Sequence, residues 1–325
     1  MLSYIFKRLG GMLPLLLGIT LISFAMMHLA PGEPSVVGNE FNPKVSAEDI
    51  ERLRSYYGLD KPLYEQYWQW LQRLAVLDFG NSFSADSRPV LDKIIERLPV
   101  TIWINALAML LILVLAIPIG VISAMHQNSW LDRGLTVLVF LGFAIPSFWL
   151  GLLLMIGLGV NIHLLPISGI HDYNWQQMGW WQQQMDFFQH LILPVIVAAI
   201  GGIAGMSRFM RAGMLNVIRS DYITTARAMG ISESRVRYRL ALKNAMLPII
   251  TLLGLSIPGL IGGSVIVEQL FSIPGMGLLF YEAVMARDYP LVMGITVMGA
   301  ILTLLGNLIA DIAYVWANPR LRHRQ

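Results

Sequence analysis

Six stretches of the chain run for about the width of a bilayer without an Asp, Glu, Lys or Arg: residues 9–30, 99–124, 134–160, 191–207, 244–267 and 289–310. A membrane-crossing helix needs about 20 mainly apolar residues, so each reads as a transmembrane helix. The stretch 191–207 is the shortest and is expected to be lengthened by 187–190. The first stretch follows Lys7 and Arg8, as the apolar part of a secretory signal does. It is longer than such a region, and Ala30-Pro31-Gly32 is a poor cleavage site, so a retained helix is expected.

The polar segments between these spans orient the chain. Residues 208–243 hold eight basic and two acidic side chains, and 1–8 hold two basic and none acidic. Residues 31–98 hold 8 basic and 11 acidic, 161–190 two acidic and no Lys or Arg, and 268–288 three acidic and one basic. Short loops rich in Lys and Arg stay in the cytoplasm. Both termini, with 125–133 and 208–243, are therefore expected inside, and those segments carry 14 of the 23 basic residues. The fold class that follows is an all-α integral membrane protein of six transmembrane helices. It has cytoplasmic termini and a helical periplasmic insertion after the first helix. Its parts are 1–30 (N-terminus and first span), 31–98 (insertion), 99–316 (a five-helix core containing 208–243) and 317–325 (tail).

Composition agrees. Of 325 residues, 56% are hydrophobic and only 13% charged, against about a quarter charged in a soluble domain. That excludes a solvated single-domain enzyme, a disordered chain and a nucleic-acid-binding module. The absence of cysteine excludes disulfides, thiolate metal sites and cysteine nucleophiles. Most spans carry proline, at Pro14, Pro118, Pro146, Pro194, Pro248 and Pro258. Proline kinks a helix and small residues let helices slide. That suits a moving pathway, but also ordinary membrane packing.

The outer segments read as helical. Ser46-Ala-Glu-Asp49 is a capping signal before Ile50, Leu53 and Tyr57, and Pro62 opens a second helix over 64–77. Its aromatic residues suit a partner contact, the membrane surface or a packed cap alike. Trp175, Trp180 and Trp181 read as an interfacial belt or a substrate gate.

The basic loop 208–243 is polar yet helical in pattern. Ser220 or Asp221 can cap a short helix, Gly230 can stop it, and Ser232 or Ser234 can start the helix that re-enters the membrane. Ile223, Ala226 and Arg227 share a face. The small residues Ala226, Ala228 and Gly230 suit a groove on another protein. The basic charge suits anionic lipid headgroups equally well.

Asp221-Tyr-Ile-Thr-Thr-Ala-Arg-Ala-Met-Gly230 followed by Asn244-Ala-Met-Leu-Pro248 resembles the EAA loop of ABC-importer permeases. The family's Glu-Ala positions are Thr224 and Thr225 here, while Ala226, Gly230, Leu247 and Pro248 match. Thr225-Ala-Arg-Ala-Met-Gly230 is similar to the dipeptide, oligopeptide and nickel branch. So are Pro31-Gly-Glu-Pro34, Tyr57-Gly-Leu-Asp-Lys-Pro62, Asp78-Phe-Gly80, Ile145-Pro-Ser-Phe-Trp149, Leu165-Pro-Ile-Ser-Gly169, Phe271-Ser-Ile-Pro-Gly-Met-Gly277 and Asn318-Pro-Arg320. The long first outer loop points to the B-type subunit of a two-permease pair. The resemblance implies a type I ABC importer permease of the bacterial inner membrane that forms half of a pathway with a second, related permease. Two cytoplasmic ATPases would hold ATP and Mg2+, and a periplasmic or lipid-anchored binding protein would deliver the solute. The coupling residues it implies are Asp221, Tyr222, Thr224, Thr225, Ala226, Arg227, Ala228, Gly230, Asn244 and Pro248. Di- or oligopeptides lead as solute, with nickel chelates, glutathione and sugars as alternatives. No cofactor is expected on this chain, and its partners are those proteins and membrane lipid, not nucleic acid.

The residues agree with that division. No Gly-Lys pair occurs, so a phosphate-binding loop of the usual kind is missing and energy comes from a partner or an ion gradient. An ion-driven secondary transporter is the rival class. It calls for buried carboxylates or histidines on the pathway, and the spans offer only His28, with Asp311 just past the last. An intramembrane enzyme lacks its motifs, since His-Glu-x-x-His and Gly-x-Ser-x-Gly do not occur. His163, His171 and His190 lie on the outer side, read as solvated loop histidines, and no metal site is expected from them.

Overall fold

The structure, a computed structural model, describes residues 2–29, 55 and 60–317. The helices are α1 (Leu2–Leu29), α2 (Leu63–Ala75), α3 (Val90–Met125), α4 (Trp130–Ala144), α5 (Ser147–Leu154), α6 (Trp180–Ile218), α7 (Asp221–Ala228), α8 (Glu233–Arg235), α9 (Leu242–Ser256), α10 (Val265–Leu270), α11 (Met276–Met285) and α12 (Tyr289–Ala317). A π-helical segment, Met155–Asn161, prolongs α5, and another, Val236–Ala241, joins α8 to α9. Among the described residues the only β feature is an isolated bridge between Asn81 and Pro89. The capping signal at 46–49, the motifs at 31–34 and 318–320 and the side chain of Asp311 lie outside the described residues.

Among the described residues five helices are long and apolar enough to cross a membrane, and six if one bent pair counts as a single span. That pair is the expected third span, which does not run straight through 134–160. It breaks between Ala144 and Ser147 with a bend of 99°. The cause is local. A residue before proline is pushed out of the α region, and Ile145, before Pro146, has extended backbone angles (φ −75°, ψ 125°). Other spans differ in length. The short fourth stretch is the core of one 39-residue helix, Trp180–Ile218. The expected fifth span ends early, at Leu260, before the Gly262-Gly263 break. In the insertion, α2 starts one residue after Pro62, as expected, and ends at Ala75 rather than 77, where Leu77 takes a positive φ of 58°.

The chain forms two compact units. The first comprises the described residues of Met1–Thr101 with Ile261–Val265 and Pro274–Leu308. Its core joins Phe79, Val90 and Ile94 to Met276, Leu279, Ala283, Leu291 and Ile295. Buried Asp288 caps α12 by accepting from the Leu291 N–H (3.2 Å) and also accepts from the Ser82 hydroxyl. His28, the one titratable side chain expected inside a span, is held by the Phe24 carbonyl (2.9 Å) and the Gln66 side chain (3.2 Å) and stacks on Phe24. These contacts tie α1 to α2 and give His28 a packing role. At the surface, Lys93 and Ser84 bond the Asp86 carboxyl and hold it down at about 2, so it stays ionised across physiological pH. Gly277 opens onto the 263–265 backbone: a Cβ there would sit 2.8 Å from the Val265 nitrogen and 2.9 Å from the Gly263 carbonyl carbon. Backbone cannot rotate away, so Gly277→Ala should cost about 1–3 kcal/mol, as overpacking does. The check is a lowered thermal midpoint of the detergent-solubilised chain.

The second unit comprises Ile102–Leu260, Ile266–Ile273 and the described part of Ile309–Gln325. α3 and α6 meet closely at Gly120, where a Cβ would lie 2.6 Å from the Met210 Cβ and 2.7 Å from the Ser207 carbonyl oxygen. Its core gathers Val121, Ala124, Met210, Met214, Ile223, Ala226, Val236, Ala241, Ala245 and Ile249, drawn from α3, α6, α7 and the α8–α9 run.

Candidate functional site

The re-entrant segment 208–243 is built as a short helix hung on that core. α6 ends at Ile218. Ser220 takes the N-cap backbone conformation (φ −76°, ψ 151°), but its hydroxyl bonds back to the Val217 carbonyl (2.6 Å) and does not cap α7. The side-chain cap expected from Ser220 is therefore absent. The hydroxyl closes the turn between the two helices instead.

At the other end the stop is as expected. Gly230 has φ +77°, a conformation that a Cβ disfavours by about 1–2 kcal/mol. Its N–H donates to the Arg227 carbonyl (2.9 Å), and the Ile231 N–H reaches back to the Ala226 carbonyl (3.2 Å). This pair of bonds is a Schellman motif, and it satisfies carbonyls that the end of α7 would leave free. A Cβ built on Gly230 meets nothing within 4 Å, so the glycine faces open space.

Helical spacing sorts the rest of α7. Ile223 and Ala226, three apart, are buried in the core. Ala226 is thus small for the chain's own packing, and the face left exposed is the other one. Asp221, Tyr222, Thr224, Thr225, Arg227, Ala228 and Gly230 are all exposed, and Thr225 bonds the Asp221 carbonyl (3.0 Å). Asn244, 22 residues downstream, donates to the Tyr222 hydroxyl (2.7 Å) and to the Leu240 carbonyl (3.1 Å). Two of the expected site residues are thereby joined. Pro248 sits one turn further along α9. Without an N–H it leaves the Asn244 carbonyl lacking its usual intrahelical donor.

Two participants escaped the sequence reading. Glu233 accepts from Arg227 Nε (2.8 Å) and Arg237 Nε (3.3 Å), bridging α7 to the next helix across the glycine turn. Met229, 69% exposed beside Gly230, adds an apolar knob. A methionine after Ala-Arg-Ala was the only available signal.

A buried pair stiffens the approach to α7. Asp132, in the first turn of α4, is buried. Arg211 on α6 clasps it with two bonds, Nε to Oδ1 (3.0 Å) and NH2 to Oδ2 (2.7 Å). The Asn128 N–H (2.9 Å) and the Ser123 hydroxyl donate as well, and Ser129 caps α4 by accepting from the Asp132 N–H. The turn between α3 and α4 is thus locked to the end of α6, seven residues before α7 begins to turn away. What this part of the molecule offers is a helix of about two turns, anchored by one face in the core, with a polar and partly apolar outer face.

Comparison with known proteins identifies the family. Residues 116–323 match the model of the family described as binding-protein-dependent transport system inner membrane component, and residues 1–105 match the N-terminal model of such membrane components. The chain is 43% identical over 323 residues to the oligopeptide transport system permease protein AppB of Bacillus subtilis, covering 99% of this chain and all of that one. It is 37% identical over 322 residues to the dipeptide transport system permease protein DppB of Lactococcus lactis, again over 99% of this chain and all of the relative. It is 35% identical over 326 residues to the glutathione transport system permease protein GsiC of Escherichia coli, over the full length of both.

Proposed function

The chain belongs to the binding-protein-dependent transport system inner membrane components, a multi-pass permease of an ABC importer, and from that premise we propose that it carries a di- or oligopeptide. The full-length likeness to oligopeptide and dipeptide permeases supports this reading more than any other observation. Glutathione, itself a tripeptide, falls within the same chemical class.

An importer permease works with ATPases and a substrate-binding protein. In our reading, two cytoplasmic ATPases hold ATP and Mg2+, and a second, related permease completes the pathway. The chain performs no catalysis of its own. α7 is the coupling element: its exposed face, with Tyr222, Thr225, Arg227, Met229 and Gly230, seats in a groove of one ATPase. Its buried face, Ile223 and Ala226, passes any displacement to α6 and α9. Nucleotide on one side and loaded receptor on the other bias a single two-state element, which is the physical content of coupling.

The test is isolation of the complex followed by reconstitution. Tagged chain should bring down an ATPase and a second permease, and vesicles holding the complex should accumulate a labelled dipeptide only with ATP and binding protein present. Uptake by the chain alone, driven by an ion gradient without ATP, would overturn the reading in favour of a secondary transporter.

A further inference from the structure

The three outer histidines do not share one fate. His163 is exposed, but His190 is buried on α6, one turn after buried Asp186, and not solvated as the sequence suggests. Residues four apart on a helix share a face, and loop residues His171 and Asp172 come to that face. Ligand atoms of Asp172, Asp186 and His190 all lie within 4.8 Å of one another. His171 Nδ1 is 3.9 Å from Asp186 Oδ2.

His190 Nδ1 lies 3.3 Å from Asp186 Oδ1, and on the far side of its ring acceptor faces acceptor. His190 Nδ1 bonds the Asp186 carbonyl oxygen (2.9 Å). A carbonyl only accepts, so Nδ1 carries the proton and Nε2 presents a lone pair. That lone pair faces Asp172 Oδ1 at 3.9 Å, and Nε2 makes no hydrogen bond among the described residues. The Asp172 N–H donates to Asp186 Oδ2 (3.0 Å), orienting the carboxylate. His171 Nδ1 is buried without a hydrogen-bond partner, while its ring is fixed by stacking on Trp175 (centroids 4.2 Å apart). Buried polar atoms without partners are costly, and a cation between these four would satisfy them together.

We propose that His171, Asp172, Asp186 and His190 bind a divalent transition-metal ion, Zn2+ by ligand set, which staples the second outer loop to the start of α6. Two imidazoles and two carboxylates suit a tetrahedral zinc and not Mg2+ or Ca2+, which take oxygen ligands. Zinc–ligand bonds of about 2.0–2.2 Å place neighbouring ligand atoms about 3.3–3.5 Å apart. Two of the pairs stand at 3.9 Å and the atoms of Asp172, Asp186 and His190 within 4.8 Å, so binding would draw these ligands in by up to about 1.5 Å and bring His171 in from farther out. The Nδ1–H bond of His190 to a backbone carbonyl is the outer-shell contact that fixes a metal-binding tautomer.

The experiment uses the full chain, purified without a polyhistidine tag, in lipid nanodiscs, stripped with chelator and dialysed against Zn2+. One zinc per chain should be retained, and Co2+ in its place should give the intense visible bands of a tetrahedral ion. Asp172 is 61% exposed on its side chain, so Asp172→Asn should fold normally. It and His171→Gln should each weaken zinc binding by about tenfold or more, in the range that loss of metal-site contacts produces. His163→Gln should leave it unchanged. Zinc at the level of empty nanodiscs, equal binding by all three variants, or displacement of the zinc by excess Mg2+ or Ca2+ would each overturn the proposal.

Discussion

Gly230→Asp should abolish transport while leaving the chain folded and in the membrane at its normal level. Folding is spared for two reasons. A side chain at Gly230 meets nothing within 4 Å, and aspartate is one of the few residues that visits the left-handed region at modest cost. The Schellman bonds are made by backbone groups and survive the substitution. What changes is the face that we propose meets an ATPase. There a carboxylate without a partner would have to be desolvated on docking, at a cost of about 2–4 kcal/mol, or about 30- to 1,000-fold in affinity. Gly230→Ala separates docking from strain: its methyl carries no charge, so it should show only the backbone penalty of about 1–2 kcal/mol and keep measurable transport. The readouts are ATP-dependent uptake, ATPase retained on the purified chain, and chain level in the membrane. Wild-type uptake by Gly230→Asp would sink the docking role of α7. Equal loss in Gly230→Ala would assign the effect to strain.

What could be read from the chain beforehand was whatever is written in local chemistry. Spans are visible because charge vanishes for about 20 residues at a time. The α7 stop is visible because only glycine takes φ +77° without penalty. The break at Pro146 was less legible. Seven other prolines sit in the expected spans, and the π segment after α5 is a feature no hydrophobic pattern announces. Pairings across distance were invisible. Asn244 meets Tyr222 over 22 residues, and Arg211 meets Asp132 over 79. No helical period links such positions, and the loop motif that holds both Tyr222 and Asn244 does not say that they pair. The outer histidines misled for a related reason. The extension of the fourth span over 187–190 already puts His190 on a helix, yet its place on the outer side reads as solvated; α6 begins ten residues earlier, at Trp180, and buries it. Where a helix begins is among the least certain features of a sequence.

Arg211→Ala should be among the most destabilising single changes in the second unit, and more so than Asp132→Asn. The asymmetry follows from burial. Asp132's side chain is 5% exposed and Arg211's 32%. Deleting the guanidinium strands a carboxylate that cannot reach water, whereas neutralising Asp132 leaves an arginine that can. Removing one partner of a buried ion pair costs about 3–5 kcal/mol. Because Arg211 is partly solvated, and the Ser123 hydroxyl and Asn128 N–H still hold the carboxylate, the cost here falls to the bottom of that range or just below it, about 2–3 kcal/mol. Asp132→Asn keeps the shape and part of the hydrogen bonding, and should cost about 1 kcal/mol. The double variant Asp132→Asn/Arg211→Ala should therefore be more stable than Arg211→Ala alone, since it no longer buries an unpaired charge. Thermal melts of the four proteins in one detergent close the cycle; strictly additive losses would mean that the pair does not interact. The pair locks the α3–α4 turn to the stretch of α6 that leads into α7, so it braces the mount of the helix proposed to couple. Arg211→Ala should accordingly lower the solute moved per ATP hydrolysed, even at temperatures where the chain is fully folded. A loose mount lets α7 follow the ATPases without carrying α6 with it, whereas a role in stability alone would leave that ratio at its wild-type value.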